Sequence, residues 1–340
     1  MPLFGSLAHT WWFPLLFALV LGHISNLCVT LFLHRSMTHQ GVVFHPIVSH
    51  FMRFWLWLTT GMKTREWVAV HRKHHAFADR EGDPHSPEVD GFWNIMLGGV
   101  FFYRKAVQDQ ELLDKYGYDC PDDWMERKLY SRYSFYGILV MLAVDILLFG
   151  PLVGLLVWSA MAVWVPIMGN IINGAGHALG YRNFHTRDHS HNLYPLGIWI
   201  VGEELHNNHH ADPRSAKFGA QWWEFDIGWI YIRLLSALRL AKVVYARTAS
   251  VREFSERHLV RAKDAARGAA AAAKERAVVA KGRAVAAKDA AVHAASEAIT
   301  EAAEAARERA AAAKAAAEAA KDAAVEAAQE VGKPRGLALE

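Results

Sequence analysis

The sequence predicts an all-α fold: an integral-membrane helical bundle with a histidine-rich helical cap on its cytoplasmic side, then an Ala-rich C-terminal tail that is helical or disordered. Three observations lead there. Apolar runs of spanning length occur between Thr10 and Ile172, strings of closely spaced histidines stand beside them, and the composition changes near residue 249. The chain has 340 residues, 53% of them hydrophobic, with 13 Trp and 17 Phe, enough to bury a sizeable core. Its mean hydropathy of +0.05 averages two unlike parts. One is aromatic, apolar and histidine-rich to about Lys242, and the other, from about Arg261 to Val331, is mostly Ala with Lys, Arg, Glu and Asp. The domain reading is 1–248 for the bundle and cap, and 249–340 for the tail. A net charge of +3 with no dense basic cluster gives no footing for a nucleic-acid partner. Cys28 and Cys120 form no metal-binding spacing and no disulfide framework.

The first apolar run, Thr10 to Leu33, exceeds the roughly 20 residues a spanning helix needs, and it lacks the basic start of a cleaved leader. A second long stretch, Phe135 to Ile172, is broken at Gly150 and Pro151, which suits a tight turn between two helices. Spans are therefore expected at about 10–33, 134–149 and 152–172, with Asp145 near the hairpin tip, where a headgroup region keeps a carboxylate hydrated. Val42 to Met62 is apolar but interrupted by His45, His50 and Arg53, so an interfacial helix is expected at about 43–62. Met1 to Leu33 holds no Lys or Arg whereas the loops flanking the hairpin hold many, which places those loops in the cytoplasm.

Three histidine strings follow: HRSMTH from His34 to His39, HRKHH from His71 to His75, and HNNHH from His206 to His210. Residues at i, i+3 and i+4 share a helix face, so His71, His74 and His75 can point at one centre, as can His206, His209 and His210. His34 and His39, five apart, fit a helix end or a turn. Asn173 and His177, four apart at the end of the hairpin's second helix, add a fourth candidate pair. Nine imidazoles and one amide exceed the four ligands of a tetrahedral zinc site, so two metals account for the set better than one. Iron is favoured because O₂ activation needs a redox metal with open positions, while zinc and copper remain compatible with the ligand type. The remaining histidines, His9, His23, His45, His50, His85, His185, His189, His191, His258 and His293, have no partners at ligand spacing and read as structural or solvated. Among them His85, with Asp83 in GDPHSP, is a candidate to orient a ligand imidazole.

At these residues the sequence resembles the membrane fatty acyl desaturase family, of the stearoyl-CoA Δ9 type, in a bacterial form. HRSMTH, EWVAVHRKHH, GDPHSP, NGAGHALGYR and GEELHNNHH occur in that order, and the likeness covers about Thr10 to Val244. The resemblance implies a non-haem centre of two iron ions, with His34, His39, His71, His74, His75, His177, His206, His209 and His210 as ligands and Asn173 acting through a water. It also implies an oxidoreductase that uses O₂ and two electrons to place a cis double bond, Δ9 by resemblance, in a saturated acyl chain held in a narrow apolar tunnel. Trp67 matches a tunnel-wall position, with core packing as its ordinary alternative. Arg104 and Lys105 match a basic pair that approaches the CoA phosphates in the acyl-CoA enzymes, and such cations could equally hold a phospholipid head group. Departures from the pattern are Ala69 and Met62, where those enzymes carry an Arg and an Asn.

The implied partners are an acyl-CoA or phospholipid substrate, membrane lipid, and a separate electron donor such as a ferredoxin, rubredoxin or cytochrome. The donor is separate because the chain has no haem-binding segment, Rossmann fingerprint or cysteine set for an iron–sulfur cluster. The expected setting is a bacterial inner membrane, with the metal site and C-terminus cytoplasmic. A related diiron hydroxylase or alkane monooxygenase would carry similar histidine boxes. A histidine-rich metal transporter fits less well, because transport sites lie near mid-membrane while these boxes sit at helix ends and in loops.

Overall fold

The computed structural model describes residues 10, 12–248 and 250–331. The outer ends of the two expected domains, residues 1–9 with His9 and residues 332–340, lie outside the described residues, as does the side chain of His258. The chain divides into two units, Met1–Arg257 and His258–Glu340. The long helix α11 (Val251–Val331) begins in the first unit and, in the second, is exposed wherever its side chains are described. Ala, Lys, Arg and Glu favour a helix strongly, and the stretch has no large apolar face to bury.

In the first unit, α1 (Trp12–Cys28) runs without a break into a π-helical segment, Val29–Thr38. The wider turn has a visible result. His39 N–H reaches His34 O at 3.1 Å, a bond across five residues, and this brings the two histidines to one side with their rings 4.9 Å apart. The amphipathic helix α2 (Pro46–Thr59) begins at His45, whose side chain accepts from Ile47 N–H, with Pro46 in its first turn. Ser25 fastens it to α1, accepting from Trp55 Nε1 at 3.1 Å and donating to Thr59 at 3.2 Å. The second histidine string lies on α3 (Thr64–Phe77). Two helices follow, α4 (Pro87–Asp90) and α5 (Phe92–Ala106), and then α6 (Gln110–Tyr116) packs beside α3.

The apolar hairpin consists of α7 (Ser134–Phe149) and α8 (Pro151–Gly174), joined at Gly150 with φ +81°. Among the described residues two helical stretches, Trp12–Thr38 and Pro151–His177, are long and apolar enough to cross a membrane, while Ser134–Phe149 is apolar but shorter. Asp145 differs from expectation. It is fully buried and neither carboxylate oxygen has a partner, because it faces into the hairpin where the glycine at 154 lets α8 approach its backbone closely.

The third string forms α9 (His206–Ala211), and α10 (Ile227–Ala237) follows. Short strands hold the ends in place: β1 (Val42–Phe44) pairs antiparallel with β4 (Ala241–Val243), Val42 opposite Val243, and β2 (Leu196–Gly197) pairs in parallel with β3 (Phe225–Asp226). The main core gathers Leu31, Phe32, Leu33, Val42, Leu56 and Ile232, which brings α1, α2 and α10 together beneath the histidines.

Arg35, fully buried, joins the first histidine string to the C-terminal half. Its guanidinium donates to both oxygens of Asp226 at 3.0 Å, to Ala216 O at 2.8 Å and to Val201 O at 3.1 Å, and lies 3.6 Å above the Phe218 ring. Gly202, with φ +97°, and Gly228 make room for it, since a Cβ at either would lie 2.5 or 2.7 Å from Arg35 Nη2. Replacing Arg35 by Ala leaves Asp226 buried and unpaired, which costs about 3–5 kcal/mol, and Lys cannot reproduce the planar fork. Both variants should melt well below the wild type in detergent-solubilised thermal unfolding; melting at the wild-type temperature would contradict this account.

Candidate metal centre

The histidine strings converge as two adjacent groups. His34, His39, His71, His75 and His209 form one, His74, His177, His206 and His210 the other, and within each group one ligating atom per residue lies within 4.8 Å of all the others. Neither HxxHH string points at a single centre as expected: His71 and His75, a full turn apart, join the first group while His74 joins the second, and His209 joins the first while His206 and His210 join the second. All nine predicted imidazoles take part. Asn173, one turn before His177 on α8, lines the cavity that reaches the groups together with His206.

Four Nε2 atoms in the first group form a closed ring: His34 to His71 at 2.9 Å, His71 to His75 at 3.0 Å, His75 to His209 at 2.9 Å and His209 to His34 at 2.9 Å. Were the ring a planar square, its centre would lie about 2.1 Å from each corner, the ordinary distance from an imidazole nitrogen to a first-row metal. Neutral imidazoles cannot satisfy one another around such a ring when the His34 proton is committed to its other nitrogen. His39 Nε2 is also buried without a partner. These orphaned, converging lone pairs fit a metal ion in each group.

Carboxylates fix the ring orientations from behind. His34 Nδ1 donates to Glu203 at 2.8 Å, His74 Nδ1 to Asp83 at 3.0 Å, His177 Nδ1 to Asp79 at 2.7 Å and His210 Nδ1 to Asp188 at 3.1 Å. Each carboxylate holds the tautomer that leaves Nε2 free to ligate. The carboxylates are held in turn: Thr30 donates to the same Glu203 oxygen, Asp79 accepts from His189 N–H and Ser86, and Asp188 accepts from Ser190 and Thr186. Asp79, Asp188 and Glu203 were not anticipated from the sequence, where the available signal was their closeness to the strings. Asp83 was. His85 stacks on His74 with ring centres 4.7 Å apart, and its Nε2 has no partner.

Burial first, and neighbouring imidazoles next, hold His39, His71, His75, His206 and His209 well below the ordinary histidine value, so they stay in the neutral, ligating form. Burial brings His210 down to about 4 against the opposing pull of Asp188. For His74 burial acts downward too, but Asp83 outweighs it and raises the value.

The asparagines between the third-string histidines face the other way. Asn207 accepts from the backbone of Asn183 and Phe184 at 2.9 and 2.8 Å and donates to Phe184 O, while Asn208 donates to Glu224 at 2.8 Å. Six residues do not make a self-supporting helix, and this anchoring supplies the support.

A cavity of about 440 Å³ leads to the centre. Its wall includes Lys63, Arg104 and Ser134, the apolar Trp67, Val70, Val100 and Val165, and His34, His71 and His206 of the metal groups. Trp67 also stacks on His71, ring centres 4.8 Å apart and nearly parallel. Of the predicted substrate contacts, Trp67 and Arg104 line the cavity, whereas Lys105 is exposed outside it.

Adjacent all-imidazole cages beside apolar helices, reached by an apolar cavity, are what a membrane-associated metalloprotein offers a metal and an apolar ligand. The chain belongs to the fatty acid desaturase family, whose model matches residues 10–242. It is 32% identical over 220 residues to an sn-1 stearoyl-lipid 9-desaturase of Anabaena variabilis, covering 64% of this chain and 78% of the relative. It is 34% identical over 220 residues to the enzyme of the same name from Synechocystis, covering 63% and 66%, and 32% identical over 236 residues to Delta-9 acyl-lipid desaturase 1 of Arabidopsis thaliana, covering 68% and 74%. It is therefore an oxygen-dependent fatty acyl desaturase, of a family that uses two irons.

Removing one orienting carboxylate should loosen its imidazole without emptying the core. Asp79→Asn and Asp188→Asn should each lower metal affinity about 10–100-fold, read as iron per chain by mass spectrometry after graded exposure to a chelator. Wild-type iron retention in both would show that these carboxylates do not tune the site.

Proposed function

We propose that this chain is a Δ9 acyl-lipid desaturase, acting on a saturated chain esterified in a membrane phospholipid. The observation that carries the reading is the cavity: mostly apolar, and lined by the cations Arg104 and Lys63 as well as by histidines of both metal groups. A methylene offers no charge to recognise, so walls and depth must choose the carbon pair. Relatives named for stearoyl-lipid and acyl-lipid substrates support the carrier, as do Ala69 and Met62 at positions where acyl-CoA enzymes carry Arg and Asn.

His34, His39, His71, His75 and His209 would hold one iron, and His74, His177, His206 and His210 the other, with Asn173 contributing through a water. When bound, the irons supply the reduction of O₂ and the removal of two hydrogens from adjacent methylenes. The chain itself positions and dries the site. Trp67, braced on His71, presents an aromatic wall beside the imidazoles, Val70, Val100 and Val165 exclude water, and the four carboxylates keep the ligands aligned. Arg104 would hold the phosphate, its guanidinium suited to two oxygens at once. Electrons would come from a separate carrier such as a ferredoxin, rubredoxin or cytochrome, and the setting would be a bacterial inner membrane with the centre on the cytoplasmic side.

The test is the fatty-acid profile, lipid class by lipid class, of cells expressing the wild type or His209→Ala. Δ9 monounsaturated chains should appear in phospholipids with the wild type and be absent with His209→Ala, and Trp67→Ala should reduce their yield at least tenfold. Hydroxylated chains would reassign the chemistry, and conversion confined to acyl-CoA would reassign the carrier.

A further inference from the structure

The helices that wall the cavity give it a direction. Lys63, at the start of α3, and Glu66, Trp67, Val70 and His71 within it all line the cavity, at i, i+3, i+4, i+7 and i+8 and so on one face. The cavity therefore follows α3 for about 12 Å at the helical rise, from Lys63 to a histidine of the first metal group. Helix α5 faces the same space with Gly99, Val100, Tyr103 and Arg104. Asn170 Nδ2 donates to Met96 O at 3.1 Å, the glycine at 174 lies against Met96 Sδ, and a Cβ on Gly99 would lie 2.1 Å from Asn170 Oδ1. Helix α5 thus runs antiparallel to α8 and away from the metal groups, and Tyr103 stands nearly two turns beyond Met96.

Tyr103 holds a group that the fold leaves unused. Its ring packs on Ala69, Val70 and Leu112, while its hydroxyl is buried with no partner among the described residues. Other polar side chains of the cavity wall are engaged: Thr30 donates to Glu203, Thr60 to Leu56 O, and Lys63 to Glu66 at 2.8 Å. Burial, and after it the Glu66 carboxylate, push the Tyr103 hydroxyl far above the ordinary tyrosine value, so at neutral pH it is a donor. A buried hydroxyl without a partner bears the full cost of its lost hydration, and a ligand that brings an acceptor removes that cost. An otherwise apolar cavity uses a few such groups to orient what it holds.

The chemistry of the ligand selects the acceptor. A saturated acyl chain carries one hydrogen-bonding group, the carbonyl at its head, which accepts and cannot donate. We propose that the Tyr103 hydroxyl donates to that carbonyl oxygen, an ester in a phospholipid or a thioester in acyl-CoA, and that this bond fixes how far the chain enters. The ester form rests on the acyl-lipid reading above; the carbonyl contact does not. The wall from Lys63 to His71 is comparable in length to the distance from such a carbonyl to the ninth carbon of an extended chain. Holding the head therefore presents one carbon pair to the metal groups, although no contact distinguishes one methylene from the next.

The test compares ligands that differ at the carbonyl alone, on full-length, iron-loaded protein in detergent micelles. Phosphatidylglycerol with stearoyl esters is paired with its octadecyl ether analogue, and stearoyl-CoA with S-octadecyl-CoA, each tritiated and read by scintillation proximity. The wild type should bind the carbonyl member of a pair about tenfold more tightly than the ether. Tyr103→Phe, which keeps the ring and its packing, should melt no lower than the wild type and bind both members at the affinity of the ether. In cells it should spread the double bond over positions beside the one the wild type makes. Equal wild-type affinity for carbonyl and ether forms of both carriers overturns the proposal, as does a Tyr103→Phe variant that weakens both forms alike or keeps the preference. An unshifted double bond overturns the role in setting depth. A preference seen only within the CoA pair supports the contact and sinks the acyl-lipid reading, so the two failures are told apart.

Discussion

The Arg35–Asp226 pair is the constraint on which the rest of the fold depends. Arg35 follows His34 directly and Asp226 begins α10, so one buried guanidinium fixes the first histidine string against the segment after the last. Asp226 also accepts from Phe218 N–H and Trp229 N–H, and Phe218 in turn lies beneath the guanidinium and packs on His209. A charge this deeply buried is tolerable when most of its donors are used, and here the two terminal nitrogens donate four hydrogen bonds to three separate segments, at Val201, Ala216 and Asp226. The position of His34 relative to His209 follows from that requirement.

Held polar groups recur outward from the centre. Imidazoles are held by carboxylates, carboxylates by hydroxyls and backbone N–H groups, and α9 by asparagines that point away from the cage. Electrostatics and packing therefore act together. Burial keeps most of the imidazoles neutral, while the carboxylates decide which nitrogen faces inward. A rigid frame of this kind suits chemistry on an unactivated chain, where the protein contributes position more than polar catalysis.

Much of this was legible in the sequence, for identifiable reasons. The i, i+3, i+4 spacing of His71, His74 and His75 is a helical period, and Gly150–Pro151 interrupts an otherwise continuous apolar run; both are local signals. The spacing of His34 and His39 was legible as a pair but not as a π-helical turn, because the wider turn is stabilised by contacts to distant segments. Asp79, Asp188 and Glu203 carry no period of their own, and an isolated carboxylate in a polar stretch is ordinarily solvated. Arg35 looked like any basic residue near the end of an apolar segment. Asp145 was expected in water because it lies near a turn, but the direction of a side chain around a helix is decided by the helix it meets.

The separation of the strings along the chain bears on how the centre comes into being. His34 and Glu203 are 169 residues apart, and His74 and His210 are 136 apart. Each cage takes histidines from the turn at 206–210, so a nascent chain that has not yet emitted this turn possesses neither cage, however well its first apolar helix is already lodged. Four ligands of the first cage, His34, His39, His71 and His75, come early in the chain, whereas of the second cage only His74 does. The last string to be translated thereby serves as the closing piece of both cages at once.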